Sequence, residues 1–202
     1  MYGLPQTTEV RKQLPKKAIY AKFDLKPSQR ESFDADVSTI YIIGVVSPKT
    51  LPAIAEGTEV KEIYLLAVQL KRKVYDPKNI ALLTRLIPQR MVFALQYEGE
   101  VQFAIYHTKL ICSEWMVDDV ETRPAVSLQG INLDIVWESL VRSIGGILPE
   151  KNFSLTEQIF FSDLREKTLK QIATLERKMV GEKQPRRKRE LFEQIKKLKK
   201  LL

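Results

Sequence analysis

Four polar residues occupy positions that could hold a divalent metal ion. Asp34 and Asp36 precede a predicted strand. Gln69 and Lys71 mark the end of the next one. Many nucleases place an aspartate near one strand start and a Glu-x-Lys on the following strand, where they bind Mg²⁺ and position a water. Because glutamine stands here at the Glu position and a hard cation prefers carboxylates, we keep a degenerate Mg-dependent nuclease only as an alternative.

Other catalytic chemistry has few side chains to use. His107 and Cys112 are the only histidine and cysteine, whereas a zinc site needs about four nitrogen or sulfur ligands. A Ser-His-Asp arrangement would need His107, which no nucleophile elbow accompanies. The eight glycines form none of the loops that hold nucleotide phosphates. We therefore expect a non-catalytic protein without a metal or cofactor.

A dense group of cations near the C-terminus carries the main functional prediction. Residues 183–189 hold five positive charges. The arginine guanidinium matches phosphate oxygens, so nucleic acid would be held through phosphates, with little sequence preference and steep salt dependence. The alternative is a solvated helix face beside a protein partner. The candidate nucleic-acid-binding residues are Lys183, Arg186, Arg187, Lys188, Arg189, Lys196, Lys197 and Lys200.

Charge is divided unevenly along the chain, whose net charge is +8. From Lys151 to the end there are 15 Lys and Arg against 7 Asp and Glu, while the first 150 residues hold 18 of each kind. A neutral body beside a cationic tail indicates a polyanionic partner, or an acidic protein surface, at the tail.

The tail is predicted to present its cations on helices. Ser154 is a predicted N-cap, and Glu157 completes a capping box. Gly181 and Pro185 then interrupt the helical pattern. An apolar seam at 4-3-4 spacing follows, formed by Leu191, Ile195, Leu198 and Leu202. This seam predicts either an antiparallel helical hairpin or one long coiled-coil helix. In the second case the chain is a structural oligomer, a homodimer formed through the tail.

The residues before the tail predict an α+β body, with a mainly antiparallel sheet of about four or five strands and flanking helices. Residues 38–46 and 60–70 are rich in β-branched and apolar side chains, and a further strand is expected within 109–117. Two alternating runs, 91–97 and 101–107, flank Glu98-Gly99, which predicts a hairpin. We expect its buried face to be shared by Met91, Phe93, Leu95, Val101, Phe103 and Ile105.

Helix signals flank these strands. Asp76-Pro77 predicts an N-cap and first turn, and Asn132 begins a second helix with an apolar stripe. A short helix is expected to start within 8–12. We expect a body over 1–145, a linker over 146–152 and a basic helical tail over 153–202.

The sequence predicts a cytoplasmic protein without membrane contact. No apolar run approaches the roughly 18 residues that a membrane span needs. The N-terminus lacks the apolar core of a secretory signal. A single cysteine cannot form an intramolecular disulfide, which favours a reducing compartment.

Several segments together resemble a known bacterial family. They are LPKKAIYAKF at 14–23, VVSP at 45–48, IPQRMVFALQYEGEVQFAIYHTKL at 87–110, and the tail from 176 onward. The chain resembles the domain of unknown function family number 4391. That resemblance implies no activity and no site residues. It implies an accessory role beside helicases or DNA methyltransferases of restriction-like phage-defence loci, which makes such an enzyme a candidate partner.

Overall fold

The computed structural model describes residues 2–119 and 124–200. They divide into two compact units, Met1–Pro149 and Glu150–Leu202. The strands are β1 (Glu9–Gln13), β2 (Val37–Val46), β3 (Ile63–Leu70), β4 (Arg90–Tyr97), β5 (Glu100–Tyr106), β6 (Leu110–Cys112) and β7 (Met116–Val117). The helices are α1 (Lys16–Lys22), α2 (Pro27–Asp36), α3 (Pro77–Leu83), α4 (Leu133–Gly145), α5 (Leu155–Gly181) and α6 (Pro185–Lys199). No helix in these ranges is both long enough and apolar enough to cross a membrane.

The first unit is a mixed α/β fold built on one seven-stranded sheet. The strand order is β1-β2-β3-β4-β5-β6, and β7 pairs separately with β5. Neighbouring strands are antiparallel except β3 and β4, which run parallel because α3 connects them as a crossover. The central strands β3 and β4 are almost entirely buried, as expected for strands covered on both faces.

The sheet is larger than the four or five strands predicted. Residues 9–13 form the edge strand β1 instead of the expected short helix, and the segment 109–117 forms two short strands instead of one. Every residue of β1 is exposed, so no alternation of apolar side chains marks it as a strand. Its conformation is set by pairing with β2, a tertiary interaction that local propensity does not report.

Helices cover one face of the sheet, where an extended core cluster lies. This cluster joins α1, α2 and α3 to the central strands through Ile19, Phe33, Ile80, Leu83, Ile40, Leu66 and Phe93. On the other face, α4 packs against β5 and β6. Its apolar stripe of Leu133, Val136, Trp137, Leu140 and Ile144 is buried as predicted.

The β4–β5 hairpin forms where predicted, but its side chains divide differently. Glu98 and Gly99 both have positive φ, of 43° and 80°, as a two-residue type I′ turn requires. This turn pairs Tyr97 with Glu100 and hence Leu95 with Gln102. Directly paired residues share a face, so Met91, Phe93 and Leu95 lie opposite the face of Val101, Phe103 and Ile105. The prediction of one shared face was wrong, and all six are buried because both faces are covered.

The second unit is an antiparallel pair of helices. Ser154 caps α5, and Glu157 completes the capping box. Pro185 opens α6 after the interruption that follows Gly181. Grooves between the two helices join Gly181 to Leu191 and Gln171 to Leu198, so α6 runs back along α5. Of the two arrangements that the seam allowed, the chain therefore adopts the hairpin.

Candidate functional site

Asp36 is a fully enclosed carboxylate at the junction of α2 and β2. Its side chain is 0% exposed. It pairs with Arg72 and accepts hydrogen bonds from the Asp76 main-chain N–H at 2.8 Å and the Asn79 amide at 2.6 Å. Burial raises the pKa of Asp36, but these donors together lower it further, so the net pKa lies below the ordinary value. The carboxylate ties α2 to the start of α3.

Asp34 makes a similar connection between α1 and α2. Its Oδ1 accepts from Lys16 Nζ and from the Tyr20 hydroxyl, both at 2.7 Å. Lys16, and then Tyr20, hold the pKa of Asp34 below its usual value. Lys16 also donates to the Val37 carbonyl at 2.5 Å. Both carboxylates of the predicted metal cluster are thus already paired with cations of the chain.

The remaining two residues of that cluster lie at the same end of the sheet. Gln69 donates its side-chain amide to the Gln96 carbonyl at 3.3 Å. Lys71 follows β3, donates its main-chain N–H to the Asp36 carbonyl at 2.8 Å, and helps lower the pKa of Asp34. Over residues 2–119 and 124–200 no group of three or more His, Cys, Asp or Glu side chains is placed to hold a metal. Metal binding here would first have to displace Lys16 or Arg72.

The pKa values of His107 and Cys112 are shifted by their surroundings. His107 Nδ1 accepts from the Trp137 indole N–H at 3.3 Å, and Arg90 lies over the Trp137 ring. Burial and then Arg90 lower the pKa of His107. Local desolvation raises the pKa of the Cys112 thiol, although its neighbour Tyr75 opposes this. These shifts favour a neutral imidazole and a protonated thiol at neutral pH.

The cations of α6 have the opposite character, because they are exposed and mostly unpaired. Arg186 contacts Glu190 at 3.3 Å, and Lys199 contacts Glu176 at 2.8 Å. The Arg186 side chain is 90% exposed, so its ion pair is weak. Within the described part of the chain, the other candidate cations of 183–200 form no ion pair with an acid. Their positive potential therefore reaches the solvent.

Four of these cations form a stripe that runs along α6 to its C-cap residue, Lys200. Arg186, Arg189, Lys196 and Lys200 follow 3-4-3-4 spacing, with Glu193 at the middle position. Residues at this spacing share one face of a helix. The seam residue Ile195 points to the opposite side and is only 4% exposed. We call these four residues the α6 stripe.

The other candidate cations lie off this stripe. Lys183 precedes the helix. Arg187 lines the groove that contains Gly181 and Leu191. Lys197 lines a second stretch of groove between the helices, which shares Gln194 with the first, and Lys188 stands one residue before Arg189. The sequence thus predicted a cationic segment, and helix formation places four of its cations on one face and the others beside that face.

The apolar seam is used inside the chain. Ile195 and Ile172 are buried, and Leu191 and Leu198 line the grooves between α6 and α5. Leu202 lies outside the described residues. The predicted oligomer seam therefore faces α5 of the same chain.

Two features of the first unit have no clear signal in the sequence. Asp134, in the first turn of α4, accepts main-chain hydrogen bonds from Thr58 at 2.6 Å and Val60 at 2.8 Å. A Cβ at Gly57 would clash with its Oδ1. The only signal in the sequence was a loop glycine 77 positions before an acid. The second feature is a cavity of about 630 Å³ beside β1, lined in part by Tyr2, Arg11, Tyr41 and Gln96.

Comparison with known proteins identifies a family. The chain matches the family described as Domain of unknown function (DUF4391) over residues 2–202. This match confirms the resemblance carried by the sequence segments. No curated protein matches the chain, and no solved structure does.

Proposed function

Because the chain belongs to the family described as Domain of unknown function (DUF4391), whose description names no activity, we propose a function from the geometry. The protein is a non-catalytic accessory protein that binds nucleic-acid phosphates through α6. Its first unit, whose net charge is only +1, docks on a protein partner. The family's implied setting makes a helicase or DNA methyltransferase of a restriction-like locus the candidate partner.

The observation that carries this proposal is the α6 stripe. Internal salt bridges would cancel its charge, but only Arg186 among its four residues has an ion pair in the described chain. Exposed cations release condensed counterions when they meet phosphate, which supplies much of the affinity of nucleic-acid-binding proteins. A cationic stripe without neutralising acids is therefore suited to a polyanion.

The proposal is tested by binding across a salt series. Fluorescence anisotropy with labelled nucleic acid should give a log Kobs against log[salt] slope of about −3 to −4 if four phosphates are neutralised. The variant Arg186→Gln, Arg189→Gln, Lys196→Gln, Lys200→Gln should lose this slope and bind at least about tenfold more weakly. A flat salt response of the unaltered protein would reject phosphate binding.

The matched control removes four exposed cations from the first unit. Lys12, Lys17, Lys49 and Lys78 are all exposed, so Lys12→Gln, Lys17→Gln, Lys49→Gln, Lys78→Gln changes the net charge equally. This control should keep both affinity and slope. Equal losses in the two variants would mean that net charge, and not α6, controls binding.

A Mg-dependent nuclease is the second candidate, because Asp34, Asp36 and Lys71 meet at one end of the β2–β3 pair. It predicts that Mg²⁺ displaces the ion pairs of the two carboxylates and that supercoiled plasmid is nicked. Plasmid incubated with protein and Mg²⁺ should stay intact if the accessory role is right. Nicking that Asp34→Asn abolishes would establish the nuclease instead.

A further inference from the structure

The α6 stripe has the dimensions of a ridge that enters a nucleic-acid groove. We infer that α6 binds in the major groove of B-form duplex DNA and contacts the phosphates on both sides, an inference that rests on the proposed function. From Arg186 to Lys200 the stripe spans 14 residue steps, or about 21 Å. At about 3.4 Å per base pair, this length covers about six base pairs.

The shape of the hairpin leaves this ridge clear. An α-helix with its side chains is about 10–12 Å wide, and the major groove of B-form DNA is about 12 Å wide. The buried side of α6, marked by Ile195, faces α5. Since α5 packs on the side opposite the stripe, it would remain outside the groove while the stripe enters.

The side chains on the stripe favour duplex over single-stranded nucleic acid. Proteins that hold single strands combine a basic groove with aromatic rings on which bases stack. The four stripe cations include no aromatic residue, and the one aromatic residue of α6, the exposed Phe192, stands three residues after Arg189 and four before Lys196. A single ring at the edge of the stripe cannot stack a run of successive bases. A convex row of cations also lacks the walls that would guide a flexible strand. Regularly spaced phosphates on a rigid duplex suit it better.

Duplex DNA is favoured over duplex RNA by groove shape. The major groove of an A-form RNA helix is deep and too narrow for side chains to enter. The minor groove of RNA is wide but shallow, so a protruding helix gains few phosphate contacts there.

The stripe also lacks Asn and Gln, which read adenine, and Gln194 faces the groove beside α5. Because the stripe cations contact phosphates, which carry no sequence information, binding should depend little on sequence.

The test compares ligands of equal length with the full chain. Anisotropy titrations use a DNA duplex of about 20 base pairs, its single strand and the matching RNA duplex. The DNA duplex should bind the most tightly, by about fivefold or more. A dye that fills the major groove should compete, and a minor-groove ligand should not. Equal or tighter binding of the single strand or of RNA would overturn this inference while leaving phosphate binding intact. Absence of binding to all three would overturn the proposed function itself.

A pair of single variants tests the stripe. Arg189→Gln removes a stripe cation, and Arg187→Gln removes an equally exposed cation that lines the Gly181 groove. Arg189→Gln should reduce the magnitude of the salt slope for duplex DNA by about one, and Arg187→Gln should leave it unchanged. Equal effects of the two changes would show that DNA is held by the overall positive charge of α6, and they would overturn the inference that the stripe enters the major groove.

Discussion

Asp36 illustrates how burial and hydrogen bonding give a charged residue a structural role. Its carboxylate receives donors from Arg72, Asp76 and Asn79, so every oxygen is engaged inside the protein. Removing a buried acceptor leaves its donors without partners, at about 1–3 kcal/mol for each group. We expect Asp36→Ala to lower the free energy of unfolding by about 3 kcal/mol, measured by urea denaturation.

Asp34→Ala is the natural comparison for that change. The Asp34 side chain is 48% exposed, so water can replace it at Lys16 and Tyr20. Its loss should cost clearly less stability than the loss of Asp36. If the two substitutions cost the same, the enclosure of Asp36 does not determine its contribution.

His107 makes the first unit sensitive to mild acid. Burial and the nearby Arg90 hold its pKa below the ordinary 6.5, so the folded chain binds this proton less readily than the unfolded chain. Stability should be complete above about pH 6.5 and fall as pH drops through the lowered pKa. Urea midpoints at pH 7.5 and pH 5.5 measure this loss, because most carboxylates stay ionised in that range.

The variant His107→Gln isolates the histidine from other titrating groups. Glutamine can still accept from the Trp137 indole but does not titrate. The decrease in urea midpoint between the two pH values should shrink in this variant. An undiminished decrease would assign the pH dependence to the carboxylates.

At the scale of elements, the α5–α6 hairpin depends on a narrow apolar contact. Ile195 and Ile172 are buried, while Leu191 and Leu198 are half-exposed. We expect Ile195→Asp to detach α6 and to reduce helicity measured by far-ultraviolet circular dichroism, because it buries a charge at the centre of the contact. Phe192→Asp, a similar change at an exposed position of the same helix, should leave the helicity almost unaltered.

The same pair of variants addresses the oligomer alternative. If the seam joins two chains, Ile195→Asp should halve the mass seen by sedimentation at high concentration. If it serves only the hairpin, mass should be that of one chain for both the variant and the unaltered protein. We expect the second result, since the seam residues already face α5.

The elements that the sequence predicted are those whose signal is local. The capping residues Asp76, Asn132 and Ser154 each accept the hydrogen bond expected of an N-cap, because a cap acts within one turn. The alternating runs around Glu98-Gly99 predicted β4 and β5 for the same reason. The edge strand β1 escaped because its pairing partner, β2, is more than twenty residues away.

Side-chain pairs between residues distant in sequence could not be predicted either, because their signal is not local. The sequence predicted that Asp34 and Asp36 lie beside a strand, but not that each forms an ion pair. Their partners, Lys16 and Arg72, are 18 and 36 positions away in the chain. In the tail, the sequence identified the cations of α6 but did not show which of them share one face of the helix. The stripe of Arg186, Arg189, Lys196 and Lys200 follows only once Ile195 fixes which face is buried.

At the scale of the whole molecule, the position of a charge should matter more than its sum. Glu193 stands between Arg189 and Lys196 in the spacing of the α6 stripe, and Glu31 is an exposed acid on α2 of the nearly neutral first unit. Replacing either by Gln raises the net charge of the chain by one. Only Glu193→Gln removes a negative charge a few ångströms from bound phosphates, where one charge pair is worth about 1 kcal/mol in water.

We therefore expect Glu193→Gln to tighten binding to duplex DNA by about threefold at low salt, and Glu31→Gln to leave affinity unchanged. The gain should vanish above about 0.5 M salt, because the screening length then falls to only a few ångströms. Anisotropy titrations of both variants at two salt concentrations measure this difference. If both changes tightened binding equally, affinity would depend on the net charge of the whole protein, and α6 would not be the binding surface.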